Sequence, residues 1–209
     1  ALLNDPEIPG DSTVYTAPGL AANGMPGTSP AAAGVFDRQN TAFYADVEYA
    51  MGDALLLQFA ARSEDFSDGN ATSNIKFAGR YSLGDLATLR GGYSTGFRAP
   101  TPGQSNYTGI VTSFDGPTGM QVQEGTVRPT DALAEALGGK KLVPEEATNT
   151  SFGFTTSPID NLNLTFDMYT INIENKIIKS RSLPVENNPE FKKLAFYTNA
   201  LDTKTSGYD

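Results

Sequence analysis

The feature that most constrains this chain is a regular alternation of apolar and polar residues in several consecutive segments. Between Thr41 and Ala50 the odd positions are mainly apolar, and the even positions include polar and charged side chains. The same period of two recurs in segments 55–64, 75–82 and 89–98, and less cleanly in 151–155 and 162–168. Because successive side chains of a β-strand point to opposite faces, the pattern predicts strands with one apolar and one polar face. A seventh strand is predicted from about Phe196 onward.

The connections between these segments are alternately short and long. Short turns lie at 52–53, 84–85 and 158–161, and the connections between them, 1–37, 67–73, 99–146 and 177–194, are mostly long. An antiparallel up-and-down sheet of this kind has all its tight turns at one rim. We therefore predict an all-β fold, an antiparallel up-and-down transmembrane β-barrel, of which this chain supplies about six or seven strands with long extracellular loops. An antiparallel sheet packed on a soluble core shows the same alternation and is the alternative.

The alternation slips at one point. Apolar residues occupy even positions from Leu162 to Met168, but odd positions at Ile171 and Ile173. The change of parity near Tyr169 is explained either by a β-bulge or by the strand leaving the membrane. The sequence leaves both explanations open.

Composition excludes several classes of function. The chain has no Cys and no His, which removes disulfides, thiolate and imidazole metal ligands, and Cys–His or Ser–His nucleophilic pairs. We therefore expect no enzymatic activity, no catalytic residue, no metal site and no cofactor. The net charge of -9, from 24 acidic and 15 basic residues, disfavours nucleic acid as a partner. No stretch reaches the ~20 apolar residues that a transmembrane helix requires.

Charged residues of the alternating segments fall on the polar face. In a membrane-spanning barrel this face lines the lumen, because the interior of such barrels is polar. Arg90 and Arg98 are expected to pair with neighbouring carboxylates or with a plug, a separate domain inside the barrel, and the alternative is a wall that attracts anions. The residues predicted to face the lumen are Asp46, Glu48, Arg62, Glu64, Lys76, Arg80, Arg90 and Arg98.

Three segments carry a resemblance to a known family. Ser94 to Pro100 reads S-T-G-F-R-A-P and resembles the S-x-G-F-R-A-P segment of TonB-dependent outer-membrane receptors. Leu142 to Gly153 reads L-V-P-E-E-A-T-N-T-S-F-G and is similar to the L-x-P-E-x-S-T-N-x-S-x-G strand start of that family, with Ala in place of one Ser. The segment from Phe196 to Asp209 also resembles a family strand. The three segments occur in the family's order, and the resemblance covers residues 38–209.

This resemblance implies a fold, a function and partners. Such receptors have a plug inside a barrel of about 22 strands, so residues 1–209 are expected to be part of the barrel domain, without the plug and the remaining strands. The implied function is import of a scarce ligand, such as an iron chelate, cobalamin or an oligosaccharide, across the bacterial outer membrane. The implied partners are that small-molecule ligand, outer-membrane lipid and TonB, which acts through the missing N-terminal part. A passive porin is the alternative, and a soluble β-sandwich binding module is a more distant one.

The connection 99–146 is much longer than the loops that merely join two strands, and loops of that length usually have a function of their own. A short helix is predicted from Pro129 to Leu137, ended by Gly138 and Gly139 and packed on the loop's own apolar residues. A sharper hypothesis makes three residues of this connection contacts for an imported ligand in an external vestibule: Tyr107, Phe114 and Arg128. The first connection, 1–37, contains Asp and Glu but no Lys or Arg, and we expect it to be a solvated acidic loop.

Overall fold

The computed structural model describes residues 34–114, 117, 119–186, 188 and 191–209. The chain divides into two compact units, of which one consists of Arg38–Pro100, Val143–Lys176 and Asn199–Asp209. This unit contains a seven-stranded sheet in the order β1-β2-β3-β4-β7-β8-β11. Its strands are β1 (Asn40–Met51), β2 (Leu55–Phe66), β3 (Ala71–Ser82), β4 (Ala87–Arg98), β7 (Glu145–Ile159), β8 (Leu162–Lys179) and β11 (Tyr197–Tyr208). The predicted all-β, up-and-down arrangement is confirmed.

Tight turns join β1 to β2, β3 to β4 and β7 to β8. Gly52 and Gly84 have φ angles of 58° and 61°, and Asn161 has a φ of 64°. Gly and Asn adopt this left-handed region at the lowest energetic cost, which explains their positions in these β-hairpin turns. Neighbouring strands from β1 to β8 are antiparallel, so these three turns lie at the same end of the sheet.

The register separates the side chains into two faces. We call the even residues of β1–β4, with the odd residues of β7 and β8 that pair with them, the charged face; the other residues form the apolar face. The apolar face is open, since Phe43, for example, is 76% exposed. Its other exposed large side chains include Val47, Phe59, Phe77, Phe152, Leu164 and Met168. A soluble sheet would bury such a face against a core.

Of the two explanations left open for the change of parity near Tyr169, a β-bulge in the ladder between β7 and β8 is excluded by the pairing. Pairing between β7 and β8 runs without a break from Thr156↔Leu164 to Glu146↔Glu174, and the register of these two described strands shifts only between Thr156 and Ile159. Ile171 and Ile173 therefore stay on the charged face, where both are half-buried. The register is set by the sum of all backbone pairs along the ladder, and two apolar side chains on a polar face do not shift it.

The other unit consists, in the part that the structure describes, of residues 34–37, 101–142 and 177–198 with the gaps given above. Its four-stranded sheet has the order β5-β6-β10-β9. The elements are α1 (Pro102–Asn106), β5 (Gly109–Phe114), β6 (Gln121–Thr126), α2 (Ala132–Ala136), β9 (Leu183–Pro184) and β10 (Lys193–Ala195). Its buried core contains Ile110, Val127, Ala134, Phe191, Leu194 and Phe196. The long connections of the seven-stranded sheet thus contribute a folded unit.

The helix predicted in the 99–146 connection is confirmed as α2. The Asp131 carboxylate accepts a hydrogen bond of 2.9 Å from the Leu133 N–H and caps the helix. Gly138, with a φ of 96°, follows its end. Ala134 is completely buried in the core, and Leu133 packs against that core. The core includes Ile110 and Val127 of the same connection, as predicted, but also Phe191, Leu194 and Phe196 from the later part of the chain, which the prediction did not include.

Helix α1 and the β5–β6 hairpin are absent from the sequence-based prediction. The Thr101 hydroxyl accepts a bond from the Gln104 N–H at 3.1 Å, and the Gln104 side chain accepts one from the Thr101 N–H at 3.0 Å. Pro102 occupies the first turn of this helix. A Thr followed by Pro and, three residues later, by Gln is the signature of a capping box, and it could have revealed the helix. No helix in the described residues is long and apolar enough to cross a membrane.

Candidate functional site

The residues predicted to face a lumen occupy the charged face of the seven-stranded sheet. Cross-strand pairs connect them: Glu48 lies opposite Gln58, Arg80 lies opposite Arg90, and Arg98 lies opposite Glu145. Adjacent strands are about 4.8 Å apart, so these side chains form rows across the face. By the same register, all of the predicted residues share this face: Asp46, Glu48, Arg62, Glu64, Lys76, Arg80, Arg90 and Arg98.

Arg90 forms an ion pair that crosses a whole strand. Its Nε donates to Asp167 Oδ1 at 2.9 Å and its Nη2 donates to Asp167 Oδ2 at 2.5 Å, while its Nη1 donates to Thr155 Oγ1 at 3.0 Å. Gly153 of β7 lies between the two partners, opposite Arg90 on one side and Asp167 on the other. Because Gly153 has no side chain, the guanidinium and the carboxylate meet above it. The bond that we expected Arg90 to make is therefore to a carboxylate two strands away.

Arg98 makes a shorter-range pair at the opposite end of β4. Its Nε donates to Glu145 Oε2 at 2.8 Å, and its Nη2 donates to Glu145 Oε1. The Glu145 side chain is 9% exposed and the Arg98 side chain is 50% exposed. A bidentate pair of this geometry compensates a buried carboxylate and holds the two strand ends in register.

Three more of the predicted charged residues, Asp46, Arg62 and Glu64, form hydrogen bonds with neighbours on the same face. Arg62 donates to Glu64 through Nε at 2.8 Å and through Nη2 at 2.6 Å, and the Asn40 amide donates to the other oxygen of Glu64. Asp46 accepts bonds of 3.1 and 3.2 Å from the Gln58 amide. These contacts hold the side chains of the charged face in fixed arrangements.

Lys76 and Arg80 differ from the other cations of this face. Both are exposed, and neither forms an ion pair within 4.0 Å with any residue that the structure describes. Arg80 lies directly opposite Arg90, so two guanidinium-bearing residues are cross-strand neighbours. Like charges directly opposite each other destabilise a sheet, and here the Asp167 carboxylate compensates one of the two, Arg90.

The three residues of the 99–146 connection that were predicted to contact a ligand lie near opposite ends of strand β5. Arg128 donates from Nε to the Asn106 carbonyl at 3.2 Å, which puts it beside Tyr107, the next residue after Asn106. Tyr107 is 45% exposed and Phe114 is 54% exposed. Phe114 ends β5, whereas Tyr107 precedes its first residue, so the length of the strand, about 17 Å, separates them. Most of the acidic first connection, residues 1–33, lies outside the described residues.

Several residues of the three family-like segments make contacts that hold the sheet together. Arg98 belongs to the first motif and Glu145 to the second, and their ion pair connects the two. Asn199, in the third segment, accepts a bond of 3.0 Å from the Val143 N–H and donates to the carbonyls of Val143 at 3.0 Å and Asn175 at 2.5 Å. The sequence-based prediction did not include Asn199 and Asp167 among the site residues. The alternation of apolar and polar residues assigns each side chain to a face of the sheet, but it does not show which residues are partners across strands.

Comparison with known proteins gives a consistent result. A family model described as "TonB dependent receptor-like, beta-barrel" matches residues 6–209. Among curated protein sequences, none matches this chain. The fold is similar to that of solved siderophore receptors, whose sequence identities below 20% make the likeness one of fold alone.

Three of these solved structures illustrate the match. The siderophore receptor PirA from Pseudomonas aeruginosa superposes with a TM-score of 0.62 at 18% identity, over 82% of this chain and 30% of that protein. PirA from Acinetobacter baumannii gives 0.58 at 16% identity, over 82% and 25%. A point mutant of the ferric enterobactin receptor PfeA from Pseudomonas aeruginosa, in complex with enterobactin, gives 0.61 at 14% identity, over 82% and 24%. This chain therefore spans a quarter to a third of the length of these receptors.

Proposed function

Because this chain belongs to the TonB-dependent receptor-like β-barrel family, we propose that it forms a stretch of barrel wall in an outer-membrane receptor that imports an iron–siderophore complex. Barrels of this family are proteins of the bacterial outer membrane. The solved receptors with this fold are named as siderophore and ferric enterobactin receptors. That agreement favours an iron chelate over cobalamin or an oligosaccharide as the imported ligand.

The observation that carries the proposal is the two-faced seven-stranded sheet. Its apolar face presents exposed aromatic and aliphatic side chains, which suits contact with outer-membrane lipid, and its other face carries the charges expected of a lumen. An open apolar face also argues against a soluble β-sandwich module, which would cover it. The proposed role is transport and not catalysis.

Energy coupling is the part of the proposal that separates a receptor from a porin. We propose that TonB supplies the energy through a part of the receptor outside this chain, because the family is defined by dependence on TonB. A passive porin would admit its solute down a gradient without that partner. The family match therefore favours the receptor.

Uptake of radiolabelled iron tests this function directly. A strain that lacks the receptor carrying this chain, grown under iron limitation, should lose accumulation of iron from one class of ferric siderophore and regain it on complementation. Accumulation should also stop when TonB is deleted from the complemented strain. Normal iron uptake from every siderophore tested, together with lost cobalamin uptake, would overturn the siderophore assignment. Uptake that persists without TonB would favour the porin.

A second prediction concerns the three residues of the 99–146 connection that we expect to contact the ligand. Replacing Tyr107, Phe114 and Arg128 by Ala in one variant should weaken ferric-siderophore binding about tenfold or more, since aromatic and Arg side chains dominate binding energies. The measurement is ligand binding by intrinsic fluorescence on purified receptor. Glu135→Ala, an exposed position on α2, is the control and should bind normally. Uptake and affinity unchanged in the triple variant would remove these residues from the binding site.

Two further variants test the two ends of strand β5 separately. Tyr107→Ala combined with Arg128→Lys tests the end of the hairpin near α1 and keeps the charge over the Phe36 ring, from whose centre the Arg128 guanidinium carbon lies 5.0 Å away. Phe114→Ala tests the other end. We expect only one of these two variants to account for most of the lost affinity, because a single chelate is too small to make its main contacts at both ends.

A further inference from the structure

We propose that the side chains of Arg38 and Asn199 act as clamps that limit the motion of the unit formed by the long connections, and that capture of the imported ligand depends on them. We call this unit the loop unit and the other the sheet unit. Arg38 is the first residue of the sheet unit after the first crossing between the units, and Asn199 is the first after the last. The described chain crosses between the two units at 37–38, 100–101, 142–143, 176–177 and 198–199.

Arg38 holds the first two crossings together. Its Nη1 donates to the carbonyl oxygen of Pro100, the last residue before the second crossing, and the Pro100 side chain is fully buried. The same Nη1 lies 3.6 Å from Asp68 Oδ2, and the guanidinium carbon lies 4.8 Å from the centre of the Phe66 ring. Three contacts therefore fix the guanidinium group, and one of them joins two points of the backbone that are 62 positions apart in the sequence.

Asn199 holds the other three crossings with a single carboxamide. Its Oδ1 accepts a hydrogen bond of 3.0 Å from the Val143 N–H, and its Nδ2 donates to the Val143 carbonyl at 3.0 Å. The same Nδ2 donates to the Asn175 carbonyl at 2.5 Å. Val143 directly follows the third crossing, and Asn175 lies next to Lys176, the last residue before the fourth. The carboxamide thus satisfies both backbone groups of Val143, as a neighbouring strand would.

Asn175 shows that the Asn199 clamp also holds an unfavourable backbone conformation. Asn175 has a φ angle of 56° inside strand β8, a left-handed conformation that residues other than Gly adopt rarely. Its N–H donates to Asp202 Oδ1 at 2.9 Å, and its carbonyl accepts from Asn199. Both backbone groups of Asn175 therefore bond to side chains of β11. A residue of this kind, one position before the end of a unit's segment, can act as a hinge.

The clamps act on the ends of the connections and not on the ligand. Donor and acceptor of every bond named above lie in the sheet unit, and the loop unit has a buried core of its own. Release of its ends should therefore leave the loop unit folded but free to move as a body. This inference rests on the proposed function in one respect, which is that the loop unit carries the ligand contacts Tyr107, Phe114 and Arg128. A unit that samples many arrangements binds more weakly, because only a fraction of them is competent to bind.

Distances between spin labels on the purified full-length receptor, without ligand, test this inference. The labels are attached to Ala71→Cys in the sheet unit and Glu135→Cys on α2, both at exposed positions of a chain that has no Cys of its own, after any cysteine elsewhere in the receptor is replaced by Ser. Pulsed electron paramagnetic resonance should give one narrow distance distribution. Asn199→Ala and Arg38→Ala should each raise the population outside that distribution about tenfold or more, as expected for the loss of two or three bonds.

Matched variants separate the clamps from a general weakening of the sheet. Asn199→Asp keeps one acceptor but loses both donor bonds, so it should behave like Asn199→Ala. Asp68→Asn removes the ion pair of Arg38 but leaves its bond to the backbone carbonyl, and the distribution should stay narrow. Asn149→Ala removes another side-chain amide of the same sheet, with a bond of 3.5 Å, and should also leave the distribution narrow.

Three results would overturn the inference. One is the same narrow distribution in the wild type and in both clamp variants, and another is a distribution that widens equally in Asn149→Ala. The third is normal iron uptake by a clamp variant whose distances are released, since uptake at limiting siderophore should fall about tenfold with the competent fraction. Because the distances are measured without ligand, they are independent of the siderophore assignment: released distances in the clamp variants together with a wild-type receptor that imports no siderophore reject only the proposed function.

Discussion

Replacing Gly153 by Ala should destabilise the receptor by about 2 kcal/mol or more, although the change adds one methyl group. An added Cβ would lie 2.8 Å from the Phe166 carbonyl oxygen and would collide with the Asp167 carboxylate. The Arg90–Asp167 pair would have to open, since the methyl group takes the space above β7 through which the two side chains meet. Urea titration of the receptor in lipid vesicles, followed by circular dichroism, measures the free energy of unfolding.

Gly96→Ala is the matched control for this prediction. Gly96 lies on the charged face of the neighbouring strand β4, and an added Cβ there has no heavy atom within 4 Å. We expect its stability to equal or slightly exceed that of the wild type, because Ala restricts the unfolded chain. If both variants unfold at the same urea concentration, the steric account of Gly153 is wrong.

Arg98→Ala should cost about 2–3 kcal/mol, the second-largest effect that we expect. The change leaves Glu145, whose side chain is 9% exposed, without its bidentate partner. Loss of one partner of a buried pair costs about 3–5 kcal/mol, and the value expected here is lower because the Arg98 side chain is 50% exposed. The same urea titration measures the loss.

Two comparisons test whether the pair is the cause. Arg80→Ala removes an arginine that has no ion pair among the described residues, and should change stability by about 0.5 kcal/mol or less. The double variant of Arg98 and Glu145, both to Ala, should be less destabilised than the sum of the single variants. Additive losses would show that the two side chains act independently and would refute the assigned coupling.

Strand positions and faces were predictable because they depend on neighbouring residues alone. The segment beginning at Thr41 was expected as a strand and is β1, from Asn40 to Met51. Apolar and polar residues alternate in any strand of which one face contacts an apolar medium, whatever the rest of the structure. Odd or even position in the sequence therefore identified the face on which each charged residue lies. The capped helix α2 was predictable for the same reason, since Asp131 and Gly138 act within one helical turn.

Partners on the charged face could not be predicted in this way. Arg90 and Asp167 are 77 positions apart in the sequence, and their contact depends on the registers of two successive strand pairs. The register also overrode the local parity at Ile171, which stays on the charged face despite its apolar side chain. A residue such as Gly153 has no visible role until both of its neighbours across the sheet are known.

The sequence by itself therefore determined the class of fold, the two faces of the sheet, the end at which the tight turns lie and the family resemblance. Each of these follows from the order of residue types over a few positions, where sterics and burial act locally. The tertiary structure alone decided that the long connections fold into a second unit, that Arg98 is compensated by Glu145, and that Arg80 and Lys76 have no ion-pair partner among the described residues. Those outcomes depend on distances between strands that are remote in sequence, which are set only when the whole sheet has formed.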